Sequence, residues 1–118
     1  SQVTGFIKAK GFERAMLNVF CRHTSCSLLI QENADPDVQV DLQGFFARLV
    51  PQGMDWITHT MEGPDDMPAH IKAAMMPVSL NIPVMGGAVG LGTWQGIYLF
   101  EHRHQPHDRQ VILSLSGE

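Results

Sequence analysis

The sequence predicts an α+β fold with a largely antiparallel sheet and two or three helices. Apolar residues recur at helical spacing in the first half of the chain, whereas most of the sequence after residue 77 alternates between apolar and polar residues and is interrupted by glycine turns. The chain has 118 residues, of which 44% are hydrophobic, so residues 1–118 are expected to form a single domain with one core.

The helices are predicted from apolar spacing and from their start and stop residues. A first, short helix ends near Gly11, a second begins at Pro36 and continues over 38–49, and a third runs from about Pro68 to Met76. Proline suits the first turn of a helix because its missing N–H has no intrahelical partner there. The predicted apolar face of the second helix consists of Val38, Leu42, Phe45, Phe46 and Leu49. The inward residues predicted for the third helix are Ile71, Ala74 and Met75.

The stretch 17–30 is rich in β-branched and aromatic residues, which predicts one long strand or two strand halves joined at a bend. Counted along one strand, Cys21 and Cys26 fall on opposite faces because their spacing is odd, so no disulfide is expected between them. They are interpreted as buried thiols in a reducing cytoplasm. Further strands are predicted at 78–84, 88–91, 92–101 and 109–115.

Charge and hydropathy exclude two classes of partner. The formal net charge is −4 and the eight basic residues are scattered, whereas a nucleic-acid-binding protein needs a basic surface. The sequence has neither an apolar stretch long enough to span a bilayer nor a signal-peptide pattern. We therefore expect a cytoplasmic protein that binds neither nucleic acid nor membrane.

The segment 62–70 contains the densest group of chemically active side chains. It combines Glu62, Asp65, Asp66 and His70 with one glycine and two prolines, directly before and within a predicted helix start. Carboxylates and neutral imidazoles bind divalent cations, and they also act as general acids and bases. A capped helix start with solvated acidic residues explains the same pattern equally well.

Four stretches resemble, in the same order, the YjbQ-like family: HTSCSL (23–28), ENADP (32–36), EGPDDMPAH (62–70) and LGTWQGIYLFEHR (91–103). The resemblance covers about 17–118, and four motifs in the right order make it specific. It implies an α+β fold assembled as a homotrimer, with a polar pocket near the subunit contacts. It also implies that a leading strand of the family is missing from this sequence, which begins within the family's first helix.

The resemblance also implies a set of site residues. A divalent metal ion, zinc or magnesium, is expected to bind to His23, His59 and His70. The expected catalytic residues are His23, Asp66, His70 and Glu101. The expected substrate contacts are Thr24, Ser25, Asn33, Thr93 and Gln95.

Some members of the family are assigned a secondary thiamine-phosphate synthase activity, in which a pyrimidine diphosphate joins a thiazole phosphate and pyrophosphate leaves. Such a transferase needs a cation and phosphate donors, for which Arg22, Lys72 and Arg103 are candidates. Only weak activity is expected, because the acidic helix start repels a bare phosphate. Two alternatives remain open: a metal-dependent hydrolase with Glu101 or Asp66 as general base, and a trimer that binds a ligand without turnover.

Overall fold

The computed structural model describes residues 2–117, which form three helices and two antiparallel sheets. The helices are α1 (Gln2–Lys10), α2 (Pro36–Leu49) and α3 (Asp66–Met75). The strands are β1 (Ala15–Cys21), β2 (Cys26–Glu32), β3 (Ser79–Met85), β4 (Ala88–Val89), β5 (Gln95–Glu101) and β6 (Val111–Gly117). The predicted α+β class and the predicted order of elements are confirmed.

The larger sheet has the strand order β4-β3-β1-β6, and β2 pairs with β5 in a separate two-stranded sheet. Alternation along β1 directs Leu17 and Val19 into the core, where they are 0% and 2% exposed. Ile7 of α1 and Leu28 of β2 are buried in the same cluster. The core therefore lies between α1, the inner face of the larger sheet and the start of β2.

A bend at 22–25 divides the stretch 17–30 into β1 and β2, so of the two predicted alternatives the strand halves are observed. The prediction that Cys21 and Cys26 lie on opposite faces is wrong, because the bend breaks the alternation on which it was based. Both cysteines are free and buried, as expected, and their Sγ atoms lie 3.1 Å apart.

Helix α2 begins as predicted, because the Asp35 side chain caps it by accepting a hydrogen bond of 2.9 Å from the Asp37 N–H. Its apolar face is not buried by the described chain, and none of its residues is classed as buried. Val40, Phe45 and Leu49 are 62%, 56% and 50% exposed. Helix α2 therefore presents apolar surface that this chain alone does not cover.

Helix α3 begins at Asp66, two residues before the predicted start, and the predicted inward face is wrong. Ala69 and Ala73 are buried, whereas Met75 is 53% exposed. Small side chains on this face let the helix approach β2 closely. The prediction gave more weight to large apolar residues than to the alanines.

The later strands differ from the predictions mainly at their ends. Strand β4 is two residues long, β5 begins at Gln95 instead of residue 92, and β6 ends at Gly117 instead of residue 115. Among the described helices, none has the length and apolar content needed to cross a membrane.

Candidate metal site

Three side chains of the predicted site meet at the start of α3: His59, Asp66 and His70. Asp66 is the first residue of the helix and His70 lies one turn later, so the two share a face. One potential ligand atom from each of the three residues lies within 4.8 Å of the others. The group therefore brings two imidazoles and one carboxylate close enough together that they could hold a cation.

Asp66 is the buried centre of the group, with 2% of its surface exposed. Its Oδ2 lies 2.6 Å from His59 Nε2 and 3.1 Å from His70 Nε2. Its Oδ1 accepts a hydrogen bond of 2.7 Å from Arg103 Nη1. Burial acts to raise the pKa of Asp66, but the hydrogen bond from His59 and the electrostatic influence of His70 and Arg103 outweigh it and lower that pKa. Asp66 is thus held as a carboxylate.

The hydrogen bonding of His70 is unusual because both ring nitrogens face oxygen acceptors. Nδ1 lies 2.8 Å from the backbone carbonyl of Thr24, which can only accept, so we assign the proton of a neutral ring to Nδ1. The lone pair on Nε2 then faces Asp66 Oδ2 at 3.1 Å. Two lone pairs in this arrangement repel each other unless a proton lies between them or both residues bind the same cation.

Arg103, which follows β5, binds to the acidic loop formed by residues 62–65. Its Nε donates to Asp65 Oδ2 at 3.0 Å and its Nη2 donates to the Glu62 carbonyl at 3.0 Å. The hydrogen bonds from Arg103 and from the His104 backbone N–H lower the pKa of Asp65 to about 2. Gly63 makes the turn with a φ of 106°, which side-chain-bearing residues rarely adopt. Arg103, predicted as a phosphate donor, is therefore already engaged by three acceptor groups.

Glu101, predicted as a catalytic carboxylate, pairs with Arg109 instead of joining the group. Arg109 Nε donates to Glu101 Oε1 at 2.8 Å, and Arg109 Nη2 donates to Oε2. Burial acts to raise the pKa of Glu101, but the hydrogen bond from Arg109 outweighs it and lowers that pKa. The carboxylate is ionised, and both of its oxygens are occupied.

His23 also lies outside the group that the described residues form. Its Nε2 accepts a hydrogen bond of 2.7 Å from the Gln110 backbone N–H. Its neighbours nevertheless contact the site region through their backbone. Thr24 O accepts from His70, and Ser25 O accepts from the His102 N–H at 3.2 Å.

Two cavities flank the group. One, of about 290 Å³, is lined mostly by apolar residues and reaches His59. The other, of about 170 Å³, has both apolar and polar lining residues, and the polar ones include Lys72, Asp65, Gln52 and His104. Burial lowers the pKa of Lys72, while the nearby Asp65 carboxylate opposes that shift. In the described chain the Lys72 ammonium forms no ion pair within 4 Å, so it remains available to an anionic ligand.

Comparison with known proteins identifies the family. The family model described as "UPF0047 protein YjbQ-like" matches residues 1–118. The chain belongs to the YjbQ-like UPF0047 family. It is 52% identical to a UPF0047 protein of Synechocystis over all of this chain and 80% of that protein, and 47% identical to the UPF0047 protein YjbQ of Escherichia coli O157:H7 over 87% and 74%. A crystal structure of an uncharacterised YjbQ/UPF0047 family protein from Clostridium acetobutylicum matches with a TM-score of 0.88 and 37% identity, covering 98% of this chain and 85% of that one.

In this YjbQ-like chain, the remaining predicted substrate contacts lie away from the group. Asn33 Nδ2 donates to the carbonyls of Thr93 and Gln95, at 3.2 Å each. Antiparallel pairing places Gln95 opposite Glu32 and Glu101 opposite Cys26. Six residues of strand separate these pairs, which is about 20 Å. One chain therefore does not bring Asn33, Thr93 and Gln95 to the histidines.

Sequence reasoning missed the buried pair of Ser27 and His102. The Ser27 Oγ lies 2.9 Å from His102 Nε2, and the two residues are 0% and 4% exposed. Burial, assisted by the positive charge of Lys72, lowers the pKa of His102 to about 4. A histidine directly after a strand, facing a serine of the adjacent strand, is a signal that becomes readable only once the β2–β5 register is known.

Proposed function

We propose that His59, Asp66 and His70 bind a divalent cation and that this site acts on a small phosphorylated molecule. The observation that carries the proposal is the environment of His70. Its Nδ1–H donates to a backbone carbonyl, which is the second contact that metal-bound histidines usually make, and this leaves Nε2 to face a carboxylate. A cation held by His70 and Asp66 would replace the repulsion between these two acceptors with attraction to both.

The donor set favours zinc over magnesium. Two imidazole nitrogens and one carboxylate are typical of zinc sites that keep an open position, whereas magnesium prefers an octahedral shell of oxygens. When bound, such a cation supplies positive charge against a phosphate group and polarises a bound water. His23, which we predicted as a third nitrogen ligand, is not a ligand in this proposal. It belongs to the segment 22–25 between β1 and β2, in which the carbonyl of Thr24 orients His70.

Lys72 is the side chain that we propose for binding the substrate phosphate. It lines the 170 Å³ cavity beside Asp65 and has no ion-pair partner within 4 Å in the described chain. Arg103 is already bound to carboxylates, and Arg22 donates to the Gln110 side chain at 3.0 Å. A single available ammonium supports binding of one phosphate group better than the several that thiamine-phosphate synthesis needs. We therefore propose that any synthase activity is weak.

A metal-dependent hydrolase is the second candidate. It needs a carboxylate that is free to take a proton from the attacking water. Glu101 and Asp66, the two carboxylates that we predicted for this role, each pair with an arginine. This pairing favours the phosphate-binding proposal over the hydrolase.

Self-association as a homotrimer is part of the proposal, and the uncovered surface of α2 supports an assembly. The Cα radius of gyration is 16.4 Å, compared with about 13.5 Å for a compact chain of this length. A cavity of about 200 Å³ lies between α2 and the β2–β5 pair and is lined in part by Leu42, Leu29, Tyr98 and Phe100. A neighbouring copy that covers this face of α2 would also bring its own polar residues close to the exposed end of the β2–β5 pair.

Metal analysis tests the central claim. Protein purified without chelator and supplied with zinc is expected to hold about one ion per chain, measured by mass spectrometry of the metal content. The variants His70→Ala and His59→Ala should lose it. His107→Ala is the matched control, because His107 is exposed and its Nδ1 contacts only the Gln105 carbonyl. Unchanged metal content in both site variants would reject the ligand assignment.

Two further assays separate the candidates. Incubation with the two phosphorylated thiamine precursors should give a slow, zinc- or magnesium-dependent product that Lys72→Met reduces at least tenfold in kcat/KM. Light scattering should give three times the chain mass, and Phe45→Ser should lower it while Lys8→Ser on the exposed surface of α1 does not. A metal-loaded trimer without product would leave the ligand-binding alternative in place.

A further inference from the structure

The two cysteines of the chain form a buried dithiol at the junction of the two sheets. Cys21 ends β1, Cys26 begins β2, and they are 2% and 0% exposed. Their Sγ atoms lie 3.1 Å apart, and no other side chain separates them. A disulfide bond has an S–S length of about 2.05 Å, so the sulfurs need to approach by only about 1 Å.

The residues between the cysteines are anchored on both sides of the junction. His23 Nε2 accepts from the Gln110 N–H, Thr24 O contacts His70 Nδ1 at 2.8 Å, and Ser25 O accepts from Arg109 Nη2 at 3.3 Å. Because the connection is held in place, the two sulfurs are kept close together instead of meeting by chance. The same anchors join the connection to the candidate metal site.

We propose that Cys21 and Cys26 form a reversible disulfide under oxidising conditions, which closes the connection 22–25 and shifts the position of His70. The inference is independent of metal binding, since it needs only the two thiols and the hydrogen bond from His70 to Thr24. The oxidant is a small disulfide such as oxidised glutathione.

The reaction balances as two thiol–disulfide exchanges. The thiolate of Cys21 attacks one sulfur of the oxidised glutathione, forms a mixed disulfide and releases the first glutathione thiol. The thiolate of Cys26 then attacks the Cys21 sulfur and releases the second glutathione thiol. Two protein thiols are oxidised to one disulfide, and one small disulfide is reduced to two thiols.

The local environment makes this oxidation slow. Burial and the neighbouring Cys21 raise the pKa of the Cys26 thiol to about 12, so little thiolate is present near neutral pH. Oxidation therefore depends on local opening of the connection. We expect its rate to increase severalfold in urea concentrations below the unfolding transition.

Mass spectrometry after alkylation of free thiols tests the bond. Native protein equilibrated with oxidised glutathione should lose two hydrogen masses, resist alkylation and recover on reduction with dithiothreitol. Trypsin cleaves after Arg14 and Arg22, so the disulfide should join two separate peptides. Cys21→Ala and Cys26→Ala should each abolish this joined pair. If the folded wild-type protein keeps two free thiols under conditions that oxidise the unfolded chain, the proposal is wrong.

The coupling to His70 has its own measurement. In NMR spectra of the histidine rings, oxidation should shift the His70 signals more than those of His107, whose Nδ1 hydrogen-bonds to the Gln105 carbonyl. Cys26→Ala treated with the same oxidant should show no such shift. A disulfide that forms while the His70 signals stay fixed would overturn the coupling to the site.

Discussion

The two ends of the β2–β5 pair have opposite surroundings. At one end, Cys26 and Ser27 are fully buried and the adjoining His102 is 4% exposed. Helix α3 and the acidic loop cover this end, and Arg103 and Arg109 neutralise its carboxylates. At the other end the polar turn of Asn33 and the nearby Trp94 side chain, which is 65% exposed, face solvent.

This difference indicates which end of the β2–β5 pair a single chain can cover by itself. At the covered end, the chain brings two partly exposed histidines to a buried carboxylate. Where α2 should provide the cover, none of its residues is buried. Site chemistry is therefore expected at the covered end, and the open end is expected to become buried only against another molecule.

Removal of Arg103 should have the largest effect, because it acts at the covered end. Arg103→Ala leaves Asp66, which is 2% exposed, without its arginine partner. We expect a loss of about 4 kcal/mol in the free energy of unfolding, measured in urea. Arg22→Ala is the control, since Arg22 is exposed and its change should stay within about 0.5 kcal/mol. Equal losses in the two variants would show that the ion pair between Arg103 and Asp66 does not stabilise the covered end.

The buried His102 should make folding sensitive to mild acid. Its pKa is lowered from 6.5 to about 4 by burial and by the positive charge of Lys72. Below pH 6.5 the unfolded chain binds a proton that the folded chain does not accept until about pH 4. The free energy of unfolding should therefore fall by about 3 kcal/mol across this window. Urea titrations at several pH values should show a shallower fall for His102→Gln, and an identical slope would contradict the assignment.

Asp65 should contribute at lower pH. The hydrogen bond from Arg103 is the main cause that lowers its pKa from 3.8 to about 2. The stabilisation is present above pH 4 and is lost as the pH falls to about 2, which amounts to about 2 kcal/mol. Asp65→Asn should remove this part of the pH dependence, measured by thermal unfolding between pH 2 and pH 5. A steeper fall in the variant would contradict the predicted sign.

The smallest effect is expected at the open end. Trp94→Ala should change the free energy of unfolding of the dilute chain by no more than about 0.5 kcal/mol, because the ring is 65% exposed. A loss that appears only at high protein concentration would show that another copy covers this end. A loss of about 2 kcal/mol at every concentration would show that the chain covers Trp94 itself.

The fold class was predictable because its signals are local. One proline and an aspartate mark the start of α2, glycines mark the turns, and alternation marks β1 and β3. The bend at 22–25 was only one of two alternatives, since nothing in HTSC distinguishes a bend from a continuous strand. The inward face of α3 was wrong because alanines carry little hydrophobic signal, although they permit the closest packing.

The candidate site was predictable only in part. His70 follows Asp66 by one helical turn, so their proximity can be read from spacing. His59 joins them through an irregular loop whose path the sequence does not specify. The pairing of Arg103 with Asp66 and of Arg109 with Glu101 depends on how the chain after β5 folds back, and no periodic pattern encodes that.

The hydrogen bond from Arg103 to Oδ1 of Asp66 affects how firmly this carboxylate would hold a cation. It withdraws electron density from the carboxylate, and the positive end of α3 does the same. Asp66 would then hold a cation less firmly than a carboxylate without an arginine partner would. The fraction of sites that hold an ion would follow the free concentration of that ion. Chelators, or the resins used to purify polyhistidine-tagged protein, would therefore determine the metal content measured after purification.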